Sequence, residues 1–264
     1  MRRPALMTVL VAWAIYLFLI APSLIVIPMS FNGSTELMFP PRSFSLHMYH
    51  EFFYGSDWLQ ATRESMVVAV GTMLLSVAAG VPAAYALVRA QFAGRRLLGV
   101  VLLAPMLVPT IVGALGLYLY LVHLGLAGTT AGLILGHTTL TTPFVIVIAS
   151  ASLRQIDPNL ETAARIMGAG PLLVFHRIVL PRLYPAAVAA ALFAFLISFD
   201  EVVIAWFVSG VGTATLPVKM YSAIHWEVSP VLPVISSASV KLIRSRRNCP
   251  SSIVCRHAST ISPS

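Results

Sequence analysis

Two adjacent carboxylates are the residues of this sequence best placed to do chemistry. Asp200 and Glu201 are the only charged residues in an apolar run at about residues 186–208. A central Asp in a membrane helix costs about 2.5–3.5 kcal/mol on translocon scales, so such residues usually face a cavity or a partner. Because neighbouring residues on a helix point about 100° apart, we expect Asp200 to face a cavity within the protein while Glu201 caps or pairs. A structural use of both, in a helix break or against a partner chain, stays open.

Other reactive side chains show no spacing typical of a site. Two histidines and a carboxylate nowhere share a metal-ligand spacing, so we expect no metal site; the histidines considered are His47, His50, His123, His137 and His225. Cys249 and Cys255 both lie near the end of the chain, which leaves no disulfide framework and no paired zinc motif. No G-x-x-x-x-G-K-[ST] phosphate loop occurs, so the chain cannot by itself cradle ATP phosphates. We expect no catalytic residue and no cofactor.

The composition excludes a soluble enzyme and a disordered chain. Of the 264 residues, 58% are apolar and only 10% are charged, and the mean hydropathy is +0.88. Soluble domains average about 25% charged residues, so these few charges cannot coat a water-exposed surface. The sequence therefore predicts an all-α, polytopic membrane protein. Five of the charges behind the net +8 fall in the last 24 residues: Lys241, Arg244, Arg246, Arg247 and Arg256.

Five apolar runs are long enough to cross a membrane. A bilayer core about 30 Å thick needs about 20 apolar residues in a helix. The runs that meet this length are 5–29, 65–88, 97–122, 132–153 and 186–208. Arg2-Arg3 precedes the first run, which is too long for a signal-peptide core and lacks an A-x-A site, so we expect an uncleaved first helix.

Small residues and prolines inside these runs indicate how the helices pack. Glycines and alanines allow close helix approach in lipid; the examples are Gly71, Ala78, Ala79, Gly80, Gly132 and Gly136. The prolines of the runs are Pro82, Pro105, Pro109 and Pro143. Each would break helical hydrogen bonds, which is tolerated where neighbouring groups or a water-lined path satisfy the freed carbonyls. We interpret any single proline as an ordinary kink.

The distribution of Lys and Arg predicts the orientation. Cytoplasmic loops carry the excess of these residues. A cytoplasmic N-terminus leaves only Arg42, Arg63 and Lys219 outside. The residues that it places inside are Arg2, Arg3, Arg89, Arg95, Arg96, Arg154, Arg165, Arg177 and Arg182. We therefore expect the N-terminus and the loop after the fourth run to be cytoplasmic.

That loop, at 152–185, is the longest connection between two consecutive runs after the second run. Asp157-Pro158 can cap and begin a helix and Gly168 can end it, which predicts a short helix over 159–167. On this helix the positions i, i+3, i+4 and i+7 form a narrow apolar face, composed of Leu160, Ala163, Ala164 and Met167. We expect this face to enter a groove of a partner. A second amphipathic piece, 172–179, should stop at Leu180-Pro181.

At this loop the sequence resembles a known motif. Glu161-Thr162-Ala163-Ala164-Arg165-Ile166-Met167-Gly168, followed by Ile178-Val179-Leu180-Pro181, is similar to the EAA loop of bacterial ABC importer permeases, written E-A-A, three residues, G, nine residues, I-x-L-P. One position departs, because the glutamate of the motif belongs at Thr162 whereas the acid here is Glu161.

The resemblance implies a type I ABC importer permease fold and a mechanism. The loop helix would dock in a cleft of a separate ATPase subunit dimer, which binds the ATP, and closure of that dimer would rock the helix bundle between inward and outward forms. The residues to which this coupling role carries over are Glu161, Ala163, Ala164, Gly168, Ile178, Leu180 and Pro181.

Further segments are similar to the second permease of spermidine/putrescine importers. They are 102–109, 137–153 and especially 198–221, within a likeness that covers about 5–239. The same branch includes permeases for iron(III), 2-aminoethylphosphonate and opines. The resemblance implies an inner-membrane subunit that imports polyamines with a second permease, an ATPase dimer and an extracytoplasmic solute-binding protein. Two other interpretations stay open: an ion-driven carrier, and a truncated membrane protein that transports nothing.

The end of the chain departs from this branch, which normally carries a sixth span. Only about ten apolar residues, 231–240, precede the basic tail, too few to cross a bilayer. A frame shift that replaced the last helix would explain this, and a basic tail kept in the cytoplasm by an incompletely inserted segment is the alternative. We divide the chain into a first transmembrane helix with an extracytoplasmic segment (1–61), a transmembrane permease domain (62–240) and an atypical tail (241–264).

Overall fold

The computed structural model describes residues 6–31 and 44–227, and this part of the chain is helical with no β-strand. Short 3₁₀ and π segments occupy Ala104–Met106, Phe175–Val179 and Ala223–Glu227. The α-helices are α1 (Leu6–Ser30), α2 (His47–Tyr54), α3 (Ser56–Arg89), α4 (Arg95–Leu103), α5 (Thr110–His123), α6 (Thr130–Leu153), α7 (Pro158–Ile166), α8 (Pro171–Val174), α9 (Leu180–Asp200), α10 (Val203–Val208) and α11 (Leu216–Ser222).

Four helical stretches are long and apolar enough to cross a membrane: Met7–Met29, Asp57–Arg89, Thr130–Leu153 and Pro171–Asp200. A bent pair, Arg95–Met106 with Thr110–His123, makes a fifth if it crosses as one span. These stretches correspond to the five predicted runs, except that the fifth, predicted over 186–208, ends at Asp200, where the helix breaks before α10. None of the described residues in the hydropathy window of the first stretch is buried, as expected of an apolar helix that faces lipid or a second membrane protein.

The interpretation of Pro105 and Pro109 as ordinary kinks in the run 97–122 is wrong, because the run is broken into two helices. The axes of α4 and α5 meet at 104°, and Pro109 precedes α5 with an extended ψ of 127°. Pro105 and Pro109 lie four residues apart, and each lacks the backbone N–H that a helix needs. Pro82 and Pro143 stand alone, and both lie inside continuous helices, α3 and α6, as predicted.

The core lies where α3, α6 and α9 pack together. Small residues allow the close approach: a Cβ added to Gly80 would lie 2.8 Å from Cγ1 of Val145, and one added to Gly71 would lie 2.7 Å from Cδ1 of Ile134. A buried hydrogen bond of 2.6 Å also joins Ser76 of α3 to Thr141 of α6. Small residues and interhelical hydroxyl bonds are typical of helix packing in membranes. The central side chains are Val81, Ala84, Val145, Ile146, Ala149, Leu183, Ala190 and Ala194.

The predicted stop at Leu180-Pro181 is also wrong. The backbone N–H of Leu180 donates to the carbonyl of Phe175, which closes a π turn that leads directly into α9. Pro181 lies in the first turn of α9, where a missing N–H costs little. The segment after Gly170 therefore runs without interruption into the span, and the apolar stretch begins at Pro171 rather than at residue 186.

From Pro217 onward the chain forms a second compact unit. Its described part contains the rest of α11 and the π segment Ala223–Glu227. The ten-residue apolar segment 231–240 and the predicted tail 241–264 lie outside the described residues.

Candidate functional site

The loop helix forms almost where its sequence predicts, at Pro158–Ile166. The carboxylate of Asp157 accepts a hydrogen bond of 2.9 Å from the backbone N–H of Asn159, and Pro158 occupies the first turn. At the other end Gly168 has φ +89°, its N–H donates to the carbonyl of Arg165, and the N–H of Ala169 donates to that of Ala164. This pair of bonds is a Schellman motif, in which glycine supplies the left-handed residue.

The two faces of α7 differ from the predicted single apolar face. Ala164 is buried with Glu161, each only 5% exposed, and belongs to the core of the chain. Leu160, Ala163 and Met167 face outward as predicted, and Ile166, which sequence reasoning left out, joins them. Ile166 and Met167 are 81% and 82% exposed. The outward face of the loop, formed by Leu160, Ala163, Ile166 and Met167, is therefore the surface that a partner could cover.

Glu161 is held within its own chain. Its Oε1 lies 2.8 Å from Nε of Arg89, and its Oε2 accepts a hydrogen bond of 2.9 Å from the hydroxyl of Tyr85. Both partners lie near the end of α3, one helical turn apart. A buried carboxylate needs such pairing, because desolvation of an unpaired charge is costly. We call Tyr85, Arg89 and Glu161 the clasp.

Arg89 also joins a third helix to the clasp. Its Nη2 donates to the carbonyl of Leu153 at 3.1 Å and to that of Ile156 at 2.6 Å, just where α6 ends. Carbonyls at a helix C-terminus lack intrahelical partners and attract cations. Sequence reasoning used Arg89 only to predict orientation and missed Tyr85, since nothing in the linear sequence relates these residues to Glu161.

The remaining motif residues shape the connection into α9. Ile178 and Leu180 are half-buried against the core formed by α3, α6 and α9, whereas Pro181 is exposed. Tyr85 also contacts this connection, since its ring centroid lies 5.0 Å from that of Phe175. The loop is thus packed on the ends of the spans along both of its pieces.

The acidic pair lies at a break between α9 and α10. Asp200 is the last residue of α9 and is exposed. Glu201 has extended backbone, with ψ 120°, and its Oε1 accepts a hydrogen bond of 2.9 Å from the N–H of Ile204. Glu201 therefore caps the start of α10, and Asp200 is the carboxylate left facing outward. A role for Asp200 in solute passage stays a prediction.

A polar contact next to this break was not predicted. Nδ1 of His137 on α6 lies 2.8 Å from Oγ of Ser198 on α9, and both residues are buried. Beside it, a Cβ added to Gly136 would lie 3.1 Å from Cγ2 of Ile204. Both contacts hold the broken helix against α6. Within residues 6–31 and 44–227 no three His, Cys, Asp or Glu side chains form a group that could hold a metal ion.

Comparison with known proteins agrees with this architecture. Residues 76–243 match the family described as binding-protein-dependent transport system inner membrane component. The chain is 34% identical to the putrescine transport system permease protein PotI of Escherichia coli (strain K12), over 84% of this chain and 81% of that protein. It is 30% identical to the spermidine/putrescine transport system permease protein PotC of Haemophilus influenzae, over 87% and 89%.

A solved structure shares the fold. It is a bacterial ABC transporter involved in the import of the acidic polysaccharide alginate, with a TM-score of 0.70 and 18% identity over 87% of this chain and 83% of that one. The sequence match extends over more than half of the chain and includes α7, the clasp residue Glu161 and the break at Asp200. This protein belongs to the binding-protein-dependent transport system inner membrane component family, the non-enzymatic, multi-span permease components of ABC importers.

Proposed function

We propose that this permease imports polyamines, with putrescine as the first solute to test. The similarity to a putrescine permease over 84% of the chain carries this proposal, and the spermidine/putrescine permease of Haemophilus influenzae supports the same class. A polyamine is a flexible dication or trication. Its passage through a membrane requires polar or anionic groups along the path, because a charge in hydrocarbon is costly.

Asp200 is the group best suited to meet such a cation. It is exposed at the end of α9, whereas the neighbouring Glu201 is occupied by the N–H of Ile204. Solute sites of transporters are commonly built where a transmembrane helix is interrupted. A single carboxylate offers a weak, transient counter-ion, so the extracytoplasmic binding protein supplies most of the selectivity.

The energy comes from a cytoplasmic ATPase dimer that covers the outward face of the loop. Ile166 and Met167 are large apolar side chains exposed beyond 80%, and apolar groups that stand out in this way mark interaction sites. The excess of Lys and Arg places this loop and the N-terminus in the cytoplasm. A second permease subunit completes the pathway, as is usual for permeases of the family to which this chain belongs.

Reconstitution in proteoliposomes tests the proposal. The chain is assembled with its second permease and ATPase, and uptake of radiolabelled putrescine from binding protein is measured with ATP inside the vesicles. We expect uptake that requires ATP and that excess unlabelled spermidine suppresses. Uptake driven by an ion gradient without ATP would indicate a carrier, and its absence under every condition would indicate a protein that transports nothing.

The solute is tested separately from the mechanism. Binding-protein-dependent stimulation of ATP hydrolysis is compared for putrescine, iron(III), 2-aminoethylphosphonate and an opine. We expect putrescine to stimulate hydrolysis most. Stimulation by one of the other solutes alone would contradict the polyamine assignment and leave the ATP-driven importer intact.

A further inference from the structure

The clasp is a polar connection between the loop helix and the spans, beside the apolar packing of Ala164. One guanidinium, that of Arg89, contacts Glu161 on α7 and the carbonyls of Leu153 and Ile156 at the end of α6. Arg89 itself ends α3. Three helices therefore share the contacts of one side chain, and the planar fork of arginine is suited to hold several acceptors in fixed geometry.

Both oxygens of Glu161 are held by the same helix. Tyr85 donates to Oε2 while Nε of Arg89 faces Oε1, and these two residues lie one turn apart on α3. Two contacts to one carboxylate fix the orientation of α7 as well as its position. The side chain of Arg89 is only 14% exposed, so water screens this pair less than it would a surface ion pair.

The clasp lies on the side of α7 opposite the outward face of the loop. Glu161 and Ala164 are buried, whereas Ile166 and Met167 are exposed beyond 80%. A displacement of the outward face must reach α3 and α6 through the buried face, because a packed interior transmits strain and does not absorb it. Within residues 6–31 and 44–227, the buried face contains the ion pair of the clasp next to apolar Ala164.

We propose that Arg89, Tyr85 and Glu161 are positioning residues that transmit motion of the loop helix to α3 and α6. The clasp makes α7 move with the spans as one body, so that closure of an ATPase dimer on the outward face becomes a displacement of the bundle. This proposal rests on the proposed function, since it assigns the internal route of the coupling. It also gives the acid at position 161 an intramolecular role, in a loop whose motif otherwise has its acid one residue later.

The first experiment measures coupling in the assembled complex. Putrescine uptake and ATP hydrolysis are measured together in proteoliposomes for the parent, Glu161→Gln, Tyr85→Phe and Arg89→Lys. We expect the number of putrescine molecules taken up per ATP hydrolysed to fall roughly 2- to 30-fold in Glu161→Gln, and less in Arg89→Lys, which keeps the charge but loses the fork. Tyr85→Phe, which keeps the ring packed on Phe175, should also lower the ratio.

The matched control is Asp157→Asn. Asp157 carries the other carboxylate of the same loop, it is exposed, and its bond is to the N–H of Asn159. Asn caps a helix as well as Asp does, so the ratio should stay at the parent value. If the clasp only stabilised the fold, Glu161→Gln would reduce the amount of assembled complex and leave uptake per ATP unchanged, and that result would overturn the proposal.

The second experiment needs no ATPase. Cys249 and Cys255 are replaced by serine, spin labels are attached at Met167→Cys and Gln91→Cys, and the distance between α7 and the end of α3 is measured for the full chain in nanodiscs. We expect one narrow distance in the parent and with Asp157→Asn, and a broader or second distance with Glu161→Gln. An unchanged narrow distance with Glu161→Gln would overturn the clasp even if uptake by the parent is driven by ATP. Failure of the proposed function is detected separately, because it would show as a loss of putrescine uptake in the parent protein.

Discussion

The Nδ1 atom of His137 lies 2.8 Å from the Oγ atom of Ser198, and this buried hydrogen bond joins α6 to α9 two residues before the acidic pair. Nε2 of His137 has no hydrogen-bond partner among the described residues. The contact therefore gives the broken helix one polar anchor on its neighbour, in a region otherwise packed with apolar and small side chains.

Removal of this anchor should destabilise the bundle modestly. Interhelical hydrogen bonds in membrane proteins contribute about 0.6 kcal/mol on average and about 1.7 at most, so we expect Ser198→Ala to lower the free energy of unfolding in micelles by about 1 kcal/mol. Thr139→Ala is the control, because that exposed hydroxyl donates only to Leu135 of its own helix. Equal losses in the two variants would contradict the anchor.

The contact of α3 with α6 should not tolerate a side chain at Gly80. Its added Cβ would lie 2.8 Å from Cγ1 of Val145, and overpacking of this kind typically costs about 1–3 kcal/mol. Gly116→Ala, which meets nothing within 4 Å on α5, should be neutral or slightly stabilising. The measurement is thermal unfolding in detergent. A Val145→Ala substitution added to Gly80→Ala should restore part of the loss.

Gly168 should be essential for presentation of the loop helix. Gly168 has a φ of +89°, in the left-handed region. This conformation costs about 1–2 kcal/mol for L residues and is especially unfavourable for a β-branched residue. We expect Gly168→Val to weaken capture of the ATPase subunit in a pull-down and to lower uptake, with membrane insertion intact. Gly170→Val is the matched control, since Gly170 has φ −67°, ψ 159° and open space around it. Unchanged capture with Gly168→Val would argue against docking of α7.

The two carboxylates at the helix break should behave differently when neutralised. Asp200→Asn should raise the KM for binding-protein-delivered putrescine, or lower the uptake rate, by roughly 3- to 10-fold, because a charge pair near a protein surface contributes on the order of a few kcal/mol at most. The same variant should leave the melting temperature unchanged. Glu201→Ala should instead lower stability by about 0.5–2 kcal/mol through loss of the cap on α10. Both quantities come from uptake kinetics and thermal unfolding. Normal transport by Asp200→Asn would remove Asp200 from the pathway.

The loop should be accessible from the cytoplasm. With Cys249 and Cys255 replaced by serine, Met167→Cys should react with a membrane-impermeant thiol reagent in inside-out vesicles and stay unreacted in right-side-out vesicles. Met167 is 82% exposed, so burial within the chain does not limit the reaction. Labelling from the opposite side, or from neither side, would overturn the orientation and with it the ATPase docking.

Local signals were predictable from the sequence. The bounds of α7 follow from Asp157, Pro158 and Gly168, because caps and left-handed glycines act within four residues of themselves. The apolar runs follow from composition, since a membrane needs about 20 apolar residues per helix. Both kinds of signal depend on neighbours in the chain, and both are confirmed by the helices observed.

The bend of the third run and the direction of Ala164 were not predictable in the same way. Prolines at 105 and 109 break that run, whereas Pro82 and Pro143 do not break theirs, because the outcome depends on how neighbours satisfy the freed carbonyls. The buried side of a short helix is likewise ambiguous when apolar residues such as Leu160, Ala164 and Ile166 occur around much of its circumference. Only the packing of α7 against the core turned Ala164 inward and left Ile166 outside.

The sequence by itself determined a chain of apolar helices, a capped loop helix and an acidic pair in the last described span. The tertiary structure decided which polar groups pair. It placed Arg89 and Tyr85 beside Glu161, and it made Glu201, not Asp200, the hydrogen-bond acceptor for the N–H of Ile204. The physical reason is that caps and apolar runs act over a few neighbouring residues, whereas a buried ion pair forms only after separate helices have packed and excluded water from the charges.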